Sequence, residues 1–244
     1  MNLSAIPWDF TLILIALGVV VPWRGAVRVR RLLAQPALTS FQRLSLYAST
    51  IAFQWFIVAL IYWRSVARHL TPADLGLVVS GVWQTLSIGL VFTALLCLNQ
   101  WAGLRKIALV PADQRGFLFQ FTQKIMPQTS AEAFAFVALA LTAGLSEEFI
   151  YRGVVFALFS RVFGAAPSGI FLATVMSSIW FGAAHLYQGR RGVTTTLVVG
   201  LLFAAVRIWT GNLVPAIMGH TGVDLVAGIY APRVLGAKAD FGGS

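Results

Sequence analysis

The chain has 244 residues, 58% of them hydrophobic and only 11% charged, and its formal net charge is +10. A soluble domain carries roughly 25% charged residues, so this composition excludes an ordinary soluble protein and indicates an integral membrane protein. Most of the 18 Lys and Arg residues stand between apolar segments, which is the pattern of cytoplasmic loops in membrane proteins. We therefore assign the basic excess to cytoplasmic loops, with contact to anionic lipid headgroups as a secondary interpretation, and we expect no nucleic-acid partner.

The first half of the chain contains three apolar segments that are predicted to cross the membrane. The first runs from Phe10 to Trp23, where Pro22 is expected to end it, and the next two run from Leu44 to Trp63 and from Leu77 to Leu98. A later stretch, Phe117 to Ile125, fits either a short amphipathic helix at the membrane surface or a loop. The connection after the first segment is the most basic in the chain and contains five arginines: Arg24, Arg28, Arg30, Arg31 and Arg43.

A long apolar run from Ser130 to Phe163 contains two adjacent glutamates, Glu147 and Glu148. At about 1.5 Å per residue, a helix of this length exceeds the hydrocarbon core of a bilayer. We therefore expect the helix to be tilted, bent or broken, with Gly144 and Gly153 as the points of irregularity.

Three further apolar segments follow, and they run from Ser168 to Leu186, from Val193 to Trp209 and from Leu213 to Tyr230. The sequence thus predicts an all-α fold, a polytopic membrane helix bundle of about seven to eight transmembrane helices. Because the basic connections belong on the inner side of the membrane, the N-terminus is expected outside and the C-terminus in the cytoplasm.

Few ionisable residues remain once the loops are set aside, and they stand on three of the predicted helices. An ionised group at membrane depth is costly, so such groups are usually paired and functional. Glu148 and Arg152 are four residues apart and share one helix face, and the same spacing relates His220 to Asp224. We expect these helices to turn their polar faces toward one wet pocket. Its expected members are Glu147, Glu148, Arg152, His185, His220 and Asp224, with Glu132 less deeply placed.

Each pair in this set also has a purely structural interpretation. Glu148 with Arg152 could be a buried ion pair that sets helix packing, and His220 with Asp224 could be a hydrogen-bonded pair between helices. These interpretations together leave Glu147 unpaired in lipid. A functional pocket is therefore the interpretation that accounts for the whole set.

The residue types in this set suit the activation of water. A carboxylate beside imidazoles can act as a general base toward water, and a histidine can stabilise the oxyanion of a tetrahedral intermediate. Two histidines with two carboxylates also match a zinc or iron ligand set, so a metal site remains an alternative, although H-E-x-x-H is absent. Ser146 adjoins Glu147, but G-x-S-x-G is absent and a serine nucleophile is not expected.

Three motifs stand in order on successive apolar segments: Glu147-Glu148-x-x-x-Arg152, Phe181-x-x-x-His185 and His220-x-x-x-Asp224. This arrangement resembles the CPBP family of intramembrane glutamic endopeptidases, which includes the type II CAAX prenyl proteases and bacteriocin-processing and abortive-infection homologues. The resemblance covers about Ser130 to Tyr230, whereas residues 1 to 129 show only generic apolar spans.

The resemblance implies a role for each matching position. Glu147 would be the base that activates water, His185 would polarise that water with it, and His220 with Asp224 would stabilise the oxyanion. Type II CAAX proteases carry Asn at the last position, whose amide can donate; Asp224 can donate only when protonated and would otherwise orient His220. No metal and no organic cofactor is implied. The residues that would order the site are Glu148, Arg152, Phe181 and Tyr151.

We therefore expect an intramembrane peptidase that cleaves a membrane protein or a lipid-associated peptide, in the bacterial cytoplasmic membrane. The alternatives are a non-catalytic scaffold or immunity protein that retains the pocket, a proton-coupled carrier, and a metal-dependent variant of the peptidase. The expected organisation is one integral membrane domain in three parts: N-terminal helices with basic loops at 1–129, a catalytic helical core at 130–232 and a short polar tail at 233–244.

Overall fold

The computed structural model describes residues 6–35 and 37–236, and this part of the chain contains helices and turns but no strand. The all-α membrane bundle predicted from the sequence is confirmed. The helices are α1 (Trp8–Ala34), α2 (Ser40–Ala67), α3 (Val82–Ala108), α4 (Gly116–Ile125), α5 (Ser130–Phe163), α6 (Pro167–Ala184), α7 (Gly189–Thr210) and α8 (214–234).

Six of these helices are long and apolar enough to cross a membrane, compared with the seven to eight that the sequence predicts. They are α1, α2, α3, α5, α6 and α7 with the turn from Leu186 that precedes it. The remaining predicted span, α8, is helical but carries His220 and Asp224 in its middle. It packs against α3, α5 and α7, so protein rather than lipid surrounds much of its surface.

Helix α1 does not end at Trp23, so the prediction of a short first span is wrong. A π-helical turn, Ala16–Val20, precedes Pro22, and the helix then continues to Ala34. Pro22 stands in the first turn of the α-helical part after that wider turn, where a missing backbone N–H disrupts the helix least. The basic residues that were assigned to a loop therefore extend the helix.

Helix α5 is continuous over its whole length, but its hydrogen bonding changes directly after the two glutamates. Residues Phe149–Val155 form a π-helical segment, which includes Gly153, one of the two predicted points of irregularity. Gly144 lies in regular α-helix instead. A Cβ atom at Gly144 would lie 2.2 Å from Thr221 Oγ1, so this glycine permits the close approach of α5 and α8.

Helices α2 and α5 run side by side and parallel. Arg43 bonds Glu132, Gln54 bonds Glu147, and the ring of Tyr62 contacts that of Phe149, so the contacts advance together along both helices. Helix α2 begins with a capping box in which Thr39 and Gln42 bond each other's backbone N–H groups. The capping box defines the start of α2, and the contacts with α5 define its register against that helix.

Ion pairs tie the helices together at the end of the bundle where α1 begins. Asp9 accepts hydrogen bonds from Arg64 and Arg68 at the end of α2. Asp74, between α2 and α3, pairs with Arg161 at the end of α5. The opposite end of the bundle holds the arginines of α1. Of the predicted polar tail at 233–244, residues 237–244 lie outside the described residues, and helix α8 includes Arg233.

Candidate active site

The structure brings the ionisable residues of α5, α6 and α8 into one cluster. Glu147 lies in the middle of α5, His185 directly follows α6, and His220 and Asp224 lie on α8. Glu147 Oε2 is 3.9 Å from His185 Nε2 and 3.9 Å from His220 Nε2. One carboxylate oxygen therefore faces an imidazole nitrogen from each of two other helices.

The two adjacent glutamates have different surroundings. Neighbouring residues on a helix point about 100° apart, so Glu147 and Glu148 cannot face the same way. The Glu147 side chain is 22% exposed, whereas the Glu148 side chain is fully buried. This difference divides the cluster into a partly open layer around Glu147 and a closed layer around Glu148.

Glu148 organises the closed layer by accepting two hydrogen bonds on one oxygen. Its Oε1 atom lies 2.9 Å from Arg152 Nη1 and 2.8 Å from His220 Nδ1. Because a carboxylate accepts, the Nδ1 atom of His220 must donate this bond. The ring is thereby held with Nε2 directed toward Glu147 and toward Asp224, whose Oδ2 is 3.7 Å away.

Arg152 is fully buried and is stabilised by aromatic rings as well as by Glu148. Its Cζ atom lies 3.9 Å from the centroid of the Phe181 ring and 5.1 Å from that of Phe203. Such contacts attract a cation through the negative face of the ring. Tyr151 packs against Phe181 with 5.2 Å between centroids, so these two residues lie in the same layer as Glu148 and Arg152, the other two residues predicted to order the site.

Phe203 of α7 belongs to this layer but carries no signal in the sequence. Its ring stacks on that of His220, with 5.4 Å between centroids and an interplanar angle of 17°. An additional phenylalanine in an apolar helix does not stand out by type or spacing. Only the packing of α7 against α8 identifies it.

His185 has a defined tautomer. Its Nδ1 atom lies 2.9 Å from the carbonyl oxygen of Phe181, one turn earlier. Because a carbonyl oxygen only accepts, Nδ1 carries the proton, and Nε2 of the neutral ring is an acceptor. This acceptor is the atom that faces Glu147.

Gln54 of α2 is a further member of the site that sequence reasoning missed. Its Nε2 atom donates a hydrogen bond of 3.2 Å to Glu147 Oε1. The one available signal was an amide side chain within a predicted transmembrane span, and its partner lies 93 residues further along the chain.

Glu132 does not belong to this site. Its two carboxylate oxygens bond Arg43 at 2.8 and 2.9 Å, and Oε2 also accepts from the backbone N–H of Gln128. As for metals, the part of the chain that the structure describes contains no group of three or more His, Cys, Asp or Glu side chains placed to hold an ion.

A bundle of apolar helices around a cluster of carboxylates and imidazoles defines an integral membrane protein with a polar site among its helices. Residues 129–226 match the family model described as type II CAAX prenyl endopeptidase, Rce1-like, which confirms the resemblance seen in the motifs and implies a peptidase. The matched segment includes Glu147, His185, His220 and Asp224 but not Gln54. Neither a curated protein nor a solved structure matches the chain.

Proposed function

We propose that the protein is an intramembrane glutamic endopeptidase in which Glu147 activates water to hydrolyse a peptide bond of a membrane-associated substrate. One observation carries this proposal. Glu147 Oε2 is buried, has no hydrogen-bond partner among the described residues, and lies 3.9 Å from the Nε2 atoms of both His185 and His220.

The spacing around Glu147 Oε2 suits a bound water molecule. A direct N–H···O bond measures about 2.7–3.2 Å, so contacts of 3.9 Å leave these groups to be bridged by water. Glu147 Oε2 and the neutral His185 Nε2 are both acceptors, so one water can donate a hydrogen bond to each. Its oxygen lone pairs are then free to attack a carbonyl carbon. Glu147 takes the proton and later passes it to the departing amine.

His220 supports the negative charge that develops on the carbonyl oxygen. Its Nδ1–H is already used by Glu148, so Nε2 donates to an oxyanion only when the ring carries both protons. Glu148 at 2.8 Å and Asp224 at 3.7 Å are two carboxylates that favour this charged ring. We therefore assign the orientation of His220 to Glu148, and the stabilisation of its charge to Asp224 together with Glu148.

The substrate reaches the site from the end of the bundle where the α1 arginines lie. Side-chain exposure rises from Glu148 at 0% through Glu147 at 22% to Asp224 at 35%. His185 ends α6 at that same end, just before the basic start of α7 with Arg190. By the positive-inside rule this end is cytoplasmic, so a segment emerging from the membrane on that side is the substrate class that fits.

The test compares wild type with Glu147→Gln in the native host by quantitative proteomics of membrane-protein termini. The matched control is Asp113→Asn, which removes a carboxylate from an exposed turn away from the site. A general base contributes about 10²–10⁴-fold. We therefore expect a terminus present with wild type and the control and lost with Glu147→Gln, at equal protein levels.

A terminus that persists with Glu147→Gln contradicts the assignment of the base. Identical termini in all three strains, under conditions where the protein is expressed, would favour a scaffold or a proton-coupled carrier. Bound zinc in the purified protein, together with loss of cleavage when a chelator is added, would favour the metal-dependent variant of the peptidase.

A further inference from the structure

We propose that Gln54 is a positioning residue of the reaction, which holds the carboxylate of Glu147 so that one oxygen faces the two histidines. The inference rests on the proposed function of Glu147. It assigns part of the site to α2, a helix outside the matched segment at 129–226.

The amide nitrogen of Gln54 donates its hydrogen bond to Glu147. A carboxylate only accepts, so the nitrogen of the amide must face Glu147 Oε1, and the contact measures 3.2 Å. The amide oxygen of Gln54 is buried and has no hydrogen-bond partner among the described residues. A buried amide with one unpaired end is costly within an apolar helix. Helix packing alone does not call for such a side chain, whereas the orientation of Glu147 does.

The hydrogen bond makes the two oxygens of Glu147 unequal. Oε1 is held by Gln54 from α2, and Oε2 faces His185 and His220. The terminal torsion of a glutamate is broad and roughly two-fold, so an unheld carboxylate turns easily. With Gln54 in place, rotation breaks a hydrogen bond, and Oε2 stays on the side where water and substrate meet.

Contacts on either side of Gln54 hold α2 in this register. Arg43 bonds both oxygens of Glu132 on one side, and the ring of Tyr62 lies 6.3 Å from that of Phe149 on the other. Because these contacts flank the Gln54 bond along the same pair of parallel helices, α2 cannot slide easily past α5. The position of the Gln54 amide is therefore set by the packing of α2 against α5 as well as by the rotamer of the side chain.

The test uses Gln54→Met, which keeps the length of the side chain but removes the donor, and Gln54→Asn, which keeps an amide that is too short to reach. The matched control is Thr50→Val, one turn away on α2, because the Thr50 hydroxyl bonds its own helix at Leu46. With the substrate found by terminal proteomics, we expect both Gln54 variants to lower kcat by up to about 10²-fold with KM unchanged. Thr50→Val should behave like wild type.

A second readout requires no substrate. Dicyclohexylcarbodiimide labels protonated carboxyl groups in membranes, and mass spectrometry measures its addition to Glu147 as a function of pH. A donated hydrogen bond favours the ionised carboxylate, so labelling should extend to higher pH in Gln54→Met and Gln54→Asn than in wild type. A merely structural role of Gln54 would not move this curve.

The outcomes separate this inference from the proposed function. Unchanged kcat and unchanged labelling in both Gln54 variants, with an active wild type, overturn the positioning role and leave the peptidase intact. A wild type that cleaves nothing overturns the proposed function. In that case a shifted labelling curve still supports the hold of Gln54 on Glu147.

Discussion

Two buried pairs of arginine and glutamate lie along α5, and their polar atoms are used very differently. In the first pair, Arg43 bonds both carboxylate oxygens of Glu132 and also donates to the carbonyl oxygen of Leu38 at 2.6 Å. The N–H of Gln128 completes the shell of Glu132. Both carboxylate oxygens of Glu132 are thus hydrogen-bonded in this closed pair, and the pair fastens α2 to α5.

The second pair, Glu148 with Arg152, keeps part of its capacity unused. Among the described residues, Glu148 Oε2 and the Nε and Nη2 atoms of Arg152 lack hydrogen-bond partners, as does the neighbouring Glu147 Oε2. Unsatisfied buried groups are rare in folded proteins and each requires an explanation. Here they surround the histidines, so the comparison separates a pair built for stability from one built beside a reaction centre.

The largest effect on stability is expected from Arg43→Met in the closed pair. The substitution removes both hydrogen bonds of Arg43 to the buried Glu132 carboxylate, and removing one partner of such a pair costs about 3–5 kcal/mol. Denaturant unfolding in mixed micelles measures the free energy. Activity per folded molecule should fall less than in the Gln54 variants, because the Gln54 bond to Glu147 and the contact of Tyr62 with Phe149 both remain.

The control for this prediction is Arg28→Met, which removes an exposed arginine that bonds Ser49. Exposed pairs contribute about 0–1 kcal/mol. If Arg43→Met and Arg28→Met cost the same, the closed pair does not stabilise the bundle in the way proposed.

A smaller loss of stability but a larger loss of activity is expected from Arg152→Met. Glu148 keeps its bond to His220, so the cost should be that of one hydrogen bond to a charged group, about 1.5–3 kcal/mol. A small misplacement in a catalytic site can lower the rate by about 10²-fold. Because Glu148 loses the group that holds it, we expect kcat to fall by this amount in a substrate assay. Unchanged kcat would show that Arg152 is as purely structural as Arg43.

The contacts of the open layer follow closely from the sequence. Ionised groups are rare in apolar helices and have few stable arrangements, so Glu147, His185 and His220 were expected to converge. The spacing of four residues also predicts the bond between Glu148 and Arg152. Each of the three sequence motifs is local to one helix segment, so each is visible without knowledge of the other helices.

The rest of the site depends on contacts between distant segments. Gln54 meets Glu147 across 93 residues, and no spacing in the chain connects them. Glu132 was grouped with the pocket because it is a carboxylate in the same apolar run. It precedes Glu147 by 15 residues, or about 22 Å of helix, and therefore meets Arg43 instead. The sequence also did not predict that α1 continues past Pro22, because a π-helical turn before the proline accommodates it.

The smallest effects should come from substituting the phenylalanine that lies near each of the two arginine–glutamate pairs. These two substitutions test most directly whether the two pairs have different roles. Phe203→Leu removes a ring that stacks on His220 and lies 5.1 Å from Arg152 Cζ, and Phe136→Leu removes one that meets Tyr47 edge-on at 5.7 Å. Each substitution keeps an apolar side chain, so each should cost only about 0.5–1.5 kcal/mol of stability.

Activity should distinguish these two matched variants. The tilt of the His220 ring depends on the ring of Phe203, so we expect Phe203→Leu to lower kcat by up to about tenfold, the equivalent of 1.4 kcal/mol. Phe136 contacts neither histidine nor Glu147 and should leave kcat unchanged. Unfolding and cleavage measured on the same preparations provide both quantities. Equal activities would mean that the stacking of Phe203 on His220 contributes only to packing.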